Sequence, residues 1–239
     1  MARTLYKCRL KEIHALTDTM RELRIDVLDP KGFQFQSGQF LMLQVPVPGQ
    51  DKPAPRAYSI ASDAREKDKP TLLIKLFPQG KASDFVRQLK GGEELSITGP
   101  FGRLFFQSPI PPQVLMLCTG AGLSQHIGFL RSHAHQFGSS KVTLLLGVWN
   151  EKEMFYQKEL EEIKKIAPTF NYEFVLDKPL SEWTGKRGFV TDYLKDYDLK
   201  TQETLVYLCG NPAMIKNAQG ILKDELQFDP KKIFAEAFH

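Results

Sequence analysis

Arg56-Ala57-Tyr58-Ser59 brings a guanidinium, an aromatic ring and a hydroxyl into one short extended stretch. Side chains alternate along a strand, so Arg56 and Tyr58 share a face. Arg56 can pair with a phosphate through its fork of donors, and Tyr58 can lie flat on a fused ring. Ser59 points the other way, although a strand end or bulge would bring its hydroxyl to a ring nitrogen. These are the means to grip a phosphorylated, planar, redox-active ring such as a flavin. Taken alone, the tetrapeptide also reads as an exposed strand with a routine aromatic.

Three further segments carry chemistry. In Gly80-Lys81-Ala82-Ser83, free amides at a helix start and a serine hydroxyl make an anion site, or simply an N-capped turn. Thr119-Gly120-Ala121-Gly122 follows an apolar strand and precedes a helix, the context in which glycines let backbone amides approach a dinucleotide pyrophosphate. Cys209-Gly210-Asn211-Pro212-Ala213-Met214 sits at a strand end and opens a helix, with proline in its first turn. Cys209 there is either a shaping group or an inert buried thiol. Ala235-Glu236-Ala237-Phe238-His239 closes the chain, as a working segment or a frayed tail. His14, His126, His133, His135 and His239 make no metal site and are expected in loops or at the surface. No metal is expected.

The elements that must position these residues change character along the chain. Leu5–Leu10, Met20–Val27, Phe40–Val45, Ala57–Ala61, Leu72–Phe77 and Glu94–Thr98 are short strands bounded by Gly, Pro and Asp. Such a series suggests a small antiparallel barrel. One helix interrupts it, capped by Ser83, with Phe85, Val86 and Leu89 as its apolar stripe and Gly91-Gly92 as its stop. Gly99-Pro100-Phe101-Gly102 reads as the tight turn ending the barrel. Ser108-Pro109-Ile110-Pro111-Pro112 reads as a linker. Beyond it, Val114–Cys118 and Val142–Val148 are fully apolar strands, with helices near Ser124–Ala134 and Lys152–Ile166. Phe174–Leu176, Val190–Tyr197 and Leu205–Cys209 continue the alternation, and Ile233–Phe238 closes it. The fold class is therefore all-β plus α/β, an antiparallel barrel over 1–108 followed by a parallel α/β domain over 109–239.

The four motifs, in this order, resemble the ferredoxin–NADP reductase family over nearly the whole chain. The resemblance implies a flavin-binding barrel and a nicotinamide-binding α/β domain, with hydride passing between nicotinamide C4 and flavin N5. It implies that Arg56 binds the flavin phosphate, that Tyr58 stacks on the isoalloxazine and that Ser59 bonds near N5, with Ala57 between them. It assigns Gly80, Lys81, Ala82 and Ser83 to the flavin pyrophosphate, which favours FAD over FMN. Lys75, Leu76 and Phe77 would line the flavin's polar chain. Thr119, Gly120 and Gly122 would receive the nicotinamide cofactor. The family often has proline where this chain has Gln125, which puts the start of the next helix in question. Cys209 would stand beside the reacting nicotinamide carbon without acting as a nucleophile, in one segment with Gly210, Asn211 and Met214. Phe238 would cover the flavin face, or Ala237 in its stead, and Glu236 matches a family carboxylate. Ser59, Cys209 and Glu236 thus form the implied catalytic set.

Asp177-Lys178 follows the strand ending at Leu176. Asp177 would repel a 2′-phosphate and accept from ribose hydroxyls, pointing to NADH. Lys178, Lys186 and Arg187 could instead bind that phosphate, as NADPH requires. Trp183-Thr184-Gly185-Lys186-Arg187-Gly188 resembles the reductases of oxygenase systems.

Composition bounds the rest. The 239 residues are 42% hydrophobic and 25% charged, with a net charge of +4, which permits an acidic protein partner. No basic tract argues for nucleic acid. Met1–Leu10 lacks an apolar signal core, and no apolar run approaches the ~18 residues of a membrane helix. Cys8, Cys118 and Cys209 are too far apart for a disulfide framework or an iron–sulfur run. The expectation is a cytoplasmic monomer that works with a separate ferredoxin, flavodoxin or oxygenase component. The alternatives are the reductase of a multicomponent oxygenase, a non-catalytic electron-transfer subunit, and a module that merely senses nicotinamide. Known subunits of the second kind carry a C-terminal cysteine cluster that is missing here.

Overall fold

The computed structural model describes residues 4–180 and 182–238; His239 lies outside them. They form two units. One holds the residues up to Phe105 together with Ile127–Ser132; the other holds Phe106–His126 and the chain from His133 onward.

The first unit is built on strands β1 (Leu5–Ala15), β2 (Met20–Asp29), β3 (Phe40–Val45), β4 (Ala54–Ser59), β5 (Thr71–Lys75) and β6 (Glu94–Phe101), with helix α1 (Lys81–Gln88) between β5 and β6. The sheet order is β4-β3-β6-β1-β2-β5, and its paired strands are antiparallel. The two edge strands meet. Ile60 bridges Leu72, and the Ala61 amide donates to the Thr71 carbonyl at 2.8 Å. The sheet thus curls into a barrel whose two edges touch at this point, just beyond β4. Alternate residues of β2 and β3 (Leu23, Ile25, Val27, Leu41, Leu43, Val45) fill the interior with Phe33 and Ile97.

The second unit holds β7 (Gln113–Thr119), α2 (Leu123–His133), β8 (Lys141–Val148), α3 (Gln157–Ile166), β9 (Phe170–Leu176), β10 (Lys186–Arg187), β11 (Thr204–Gly210), α4 (Pro212–Gly220) and β12 (Ile233–Ala237). The order is β10-β9-β8-β7-β11-β12, and the strands run parallel. Leu144, Leu145 and Leu146 are all buried, as a parallel strand covered on both faces requires.

Several expectations need correction. α1 starts at Lys81 with Gly80 as its N-cap, so Ser83 is not the cap. Its hydroxyl lies in the first turn and accepts the Phe77 amide at 2.9 Å. Gly99, Pro100 and Phe101 continue β6 opposite β3 and do not form a turn. The helix expected from Lys152 begins at Gln157; a short 3₁₀ turn, Glu151–Glu153, precedes it, capped by Asn150. Val190–Asp196 is a 3₁₀ helix, started by the Asp192 carboxylate accepting the Phe189 amide at 2.8 Å. Gln125 does not disturb α2. Groups in a first helical turn lack intrahelical partners for their amides, so proline and glutamine are both compatible there.

His126, expected in a loop or at the surface, is completely buried in α2. Its Nε2 lies 3.0 Å from the Leu117 carbonyl. Burial lowers its pKa from 6.5 to about 4, against the pull of that bond. The unfolded chain therefore takes up a proton as pH falls through 6.5, while the folded chain refuses it until about 4. Stability contributed by neutral His126 is fully present above that window and falls across it, by roughly 3 kcal/mol in all. Urea unfolding of wild type and His126→Gln at a series of pH values from 7 to 4 checks this: the variant is expected to lose most of the acid slope. Parallel slopes would exclude His126 as its source.

Candidate functional site

In the first unit, β4 carries Arg56, Ala57, Tyr58 and Ser59 opposite Leu43, Met42, Leu41 and Phe40 of β3. One residue past β4, Ile60 makes an isolated antiparallel bridge to Leu72 of β5. Arg56 is exposed and donates to the Pro55 carbonyl at 2.9 Å. No carboxylate pairs with it among the described residues, which leaves most of its donor fork available. Tyr58 is half-buried against the barrel core. Burial raises its pKa, while the nearby charge of Arg56 lowers it. Ser59 is 3% exposed, closer in than an open strand face would give.

The β5–α1 connection carries the second sequence-expected group, Gly80 to Ser83. Gly80 has φ +148, in the region glycine favours. The start of α1 has no side-chain cap, so the amides near Lys81 and Ala82 are open to an anion. Arg87 donates to the Phe77 carbonyl, and the Phe77 ring is 58% exposed beside this turn. An exposed guanidinium, an uncapped helix start and a half-buried phenol are donors and a platform that suit a phosphorylated ring.

In the second unit the chain leaves β7 toward β8 on one side and leaves β11 toward β12 on the other. The gap between β7 and β11 is thus the switch point where open α/β sheets take ligands at their carboxyl ends. A Cβ on Gly122 would lie 2.2 Å from the Cys209 carbonyl oxygen, and one on Gly210 would lie 2.5 Å from Thr119 Oγ1. Thr119 Oγ1 accepts the Asn211 amide at 3.0 Å, and Asn211 caps α4 by accepting the Ala213 amide at 2.8 Å. β12 pairs Glu236 with Cys209 and Ala237 with Gly210. The Phe238 amide donates to the Gly210 carbonyl at 2.9 Å. Thr119, Gly120, Gly122, Cys209, Gly210, Asn211, Glu236, Ala237 and Phe238 therefore gather at one end of the sheet. Met214, in the first turn of α4, packs against the unit's core. Cys209 is completely buried; burial first, then Glu236, push its pKa well up.

Asp177 and Lys178 stand at the same end, beyond β9, hydrogen-bonded through their amides to Val148 and Trp149. From β9 to β12 the row crosses four strand spacings, roughly 19 Å, which suits an elongated ligand. Sequence reasoning missed Trp149, half exposed just past β8, with the Lys178 ammonium 4.6 Å from its ring centroid. A tryptophan directly after an apolar parallel strand was the available signal. It also missed that Lys186 is engaged. Its ammonium lies 3.6 Å from Glu173 and 3.7 Å from Asp196, and 4.1 Å above the Tyr193 ring. Among the described residues no cluster of three or more His, Cys, Asp or Glu could hold a metal ion. Nor is any helix there long and apolar enough to cross a membrane.

An antiparallel barrel with exposed, unpaired donors and a parallel sheet with a glycine-lined switch point are the architecture of a two-domain flavin and nicotinamide oxidoreductase. Residues 7–106 match the family described as oxidoreductase FAD-binding domain, and residues 116–220 match the oxidoreductase NAD-binding domain. The chain is 27% identical to ferredoxin–NADP reductase B of Sorangium cellulosum, covering 98% of this chain and 97% of that protein. It is 30% identical to the anthranilate 1,2-dioxygenase electron transfer component of Acinetobacter baylyi, covering 95% of this chain but 65% of that one. An Amycolatopsis cytochrome P450 reductase superposes with a TM-score of 0.88 at 25% identity, over 99% of this chain and 70% of that one. The chain belongs to the ferredoxin–NADP reductase family, whose members bind FAD and a nicotinamide nucleotide.

Gly122→Ala is expected to lower stability by about 3 kcal/mol, because the added carbon meets a backbone oxygen that has no room to withdraw. Affinity for the nicotinamide nucleotide should fall with it. Urea unfolding and isothermal titration with NAD⁺ check this; an unchanged midpoint would mean that the strand ends are not in close contact.

Proposed function

We propose that this chain exchanges hydride with NADH in preference to NADPH and passes electrons to a separate ferredoxin, flavodoxin or oxygenase component. FAD, when bound, supplies the capacity to accept a hydride and to release electrons singly. The protein's contribution is orientation and the shaping of a dry site. In this reading residues 1–108 bind FAD and residues 109–239 bind the nicotinamide nucleotide. Arg56 holds the flavin phosphate, Tyr58 lies along the ring, and Ser59 donates to the ring edge that accepts hydride. The turn from Gly80 to Ser83 receives the pyrophosphate, with Lys75 and Phe77 along the connecting chain. Thr119, Gly120 and Gly122 receive the nicotinamide nucleotide; Cys209, Gly210, Asn211 and Met214 shape the cleft for its reactive ring. Glu236, Ala237 and Phe238 line the same end.

The observation that carries the function is the glycine-lined β7–β11 switch point in a chain whose other half matches an FAD-binding domain. The preference for NADH is supported by the state of the cations around Asp177. Lys186 is engaged by Glu173 and Asp196. Arg187 donates to the Trp183 carbonyl at 2.6 Å, and Lys178 lies over Trp149. A 2′-phosphate would have to draw these groups away from existing partners and face Asp177. A role as the reductase of a multicomponent oxygenase is favoured by the 30% identity to oxygenase electron-transfer and phenol hydroxylase components. The reading includes a cytoplasmic monomer; three free, buried cysteines suit a reducing compartment.

The purified chain is expected to be yellow and to bleach anaerobically with NADH. A chain that stays colourless after reconstitution with FAD would overturn the reading. Ser59→Ala should retain flavin and bleach about tenfold more slowly in stopped flow, the value of one hydrogen bond near the reacting atom. Asp177→Arg should shift the NADPH to NADH ratio of kcat/KM by about tenfold or more toward NADPH; an unmoved ratio would remove Asp177 from the ribose site.

A further inference from the structure

Glu22 of β2 is 2% exposed. Burying a carboxylate is costly unless it is paired, and here two guanidiniums stand against it, one of them hydrogen-bonded. Arg24 Nε donates to Oε1 at 2.8 Å, and Arg131 Nη2 lies 3.6 Å from Oε2. Arg24 has a second partner, Glu12, at 3.1 Å. Arg131, on the part of α2 that belongs to the barrel unit, has another use. Its Nη1 donates to the Ala61 carbonyl at 2.8 Å.

Ala61 lies two residues past Ser59, and further contacts from the same stretch of α2 hold the chain there. The Ala64 amide donates to Ser132 Oγ at 3.0 Å. A Cβ on Gly128 would lie 2.7 Å from the Ile60 carbonyl oxygen, so the backbone approaches the helix as closely as glycine permits. Residues 60–64 are thus fixed by a backbone approach, a hydroxyl and a charged donor in succession. Backbone bonds from Ile60 to Gln39 and from Ala61 to Thr71 already tie this stretch to β3 and β5. Closure alone does not call for a buried carboxylate and a guanidinium behind this one carbonyl.

We propose that Arg131, held by the buried carboxylate of Glu22, is a positioning residue for Ser59: it pins the Ala61 carbonyl and so fixes where the hydroxyl at the end of β4 stands. The inference rests on the role given to Ser59 above. Arg131 touches no cofactor in this scheme; it acts through the backbone.

The test uses Arg131→Met, Arg131→Lys and Glu22→Gln in the full chain. Amide hydrogen exchange of the apoprotein reads the anchor without any flavin. Arg131→Met should speed exchange in residues 59–66 at least tenfold and leave β1 and β6 unchanged. In the FAD-loaded protein, the limiting rate of bleaching by NADH should fall about tenfold with apparent NADH affinity altered less than twofold. Arg131→Lys, which keeps a donor, should recover the rate to within threefold. Glu22→Gln keeps Arg131 but removes its counter-charge, and should show the same local pattern more weakly. It serves as the deciding variant if Arg131→Met does not fold.

Wild-type exchange and rate in Arg131→Met would overturn the proposal. So would faster exchange spread evenly through the barrel, in that variant or in Glu22→Gln, because it marks a residue of general stability. A wild-type chain that takes up no FAD would sink the functional reading and the positioning role together. A wild-type chain bleached normally beside an equally fast Arg131→Met would sink the positioning role alone.

Discussion

The second unit depends on two strand ends that approach as closely as glycine allows. At the β7–β11 gap, Gly122 lies against the Cys209 carbonyl and Gly210 lies against Thr119. Parallel strands whose connections leave in opposite directions open a crevice at their carboxyl ends. Here the crevice floor is backbone, so amides and carbonyls can meet a ligand directly. Thr119 then ties the two sides, accepting the Asn211 amide while Asn211 starts α4. A larger residue at either glycine would push the strands apart and replace that floor with hydrocarbon. The position of β12, and hence of Glu236, Ala237 and Phe238, follows from its pairing with β11.

Availability of charge, more than its amount, sorts the cations. Arg24, Arg65 and Arg87 each hold a carboxylate within hydrogen-bond distance. Arg56 has none among the described residues, so it can bind an anion without breaking an ion pair. Lys186 is the opposite case. It is largely withdrawn from water, flanked by Glu173 and Asp196, and Tyr197 donates to the same Glu173 at 2.5 Å. Exposed ion pairs contribute little, but a caged ammonium offers an incoming phosphate less than its formal charge implies. Counting lysines in the sequence around Asp177 therefore overstates the attraction for a 2′-phosphate.

The strands and the glycine motifs were legible because their signals are local. Alternating apolar residues from Leu23 to Val27 and the continuous run from Val142 to Val148 each name their own environment. The switch from short bounded strands to strand and helix alternation marked the two architectures. Boundaries that depend on a hydrogen bond between separated residues were less legible. Ser83 looks like a cap from its neighbours, yet Gly80 opens the helix because the Ser83 hydroxyl serves the Phe77 amide. His126 looks like a surface residue until α2 is seen to be buried on all sides, a consequence of tertiary packing that no local pattern carries. The cage around Lys186 joins β9, β10 and the 3₁₀ helix after Phe189, so its members are dispersed in sequence. Arg131 gave no signal at all, since its partners lie on β2 and just beyond β4.

Cys209 shows how geometry narrows a role that chemistry leaves open. A cysteine at a candidate site suggests a nucleophile, but the nucleophile is the thiolate. Forming it here would place a charge in a completely buried site with Glu236 alongside, and both push the thiol's pKa well above its usual value. Cys118, its neighbour on β7, is raised by burial as well. At neutral pH Cys209 is therefore a neutral, polarizable group little larger than alanine. Gly210 follows it with φ +126, and Ala237 is paired opposite Gly210. Small side chains at consecutive positions let the backbones of β7, β11 and β12 approach closely at their carboxyl ends. Burial and the raised pKa thus remove the nucleophile from the readings of Cys209 and leave it a small packing group at the end of β11.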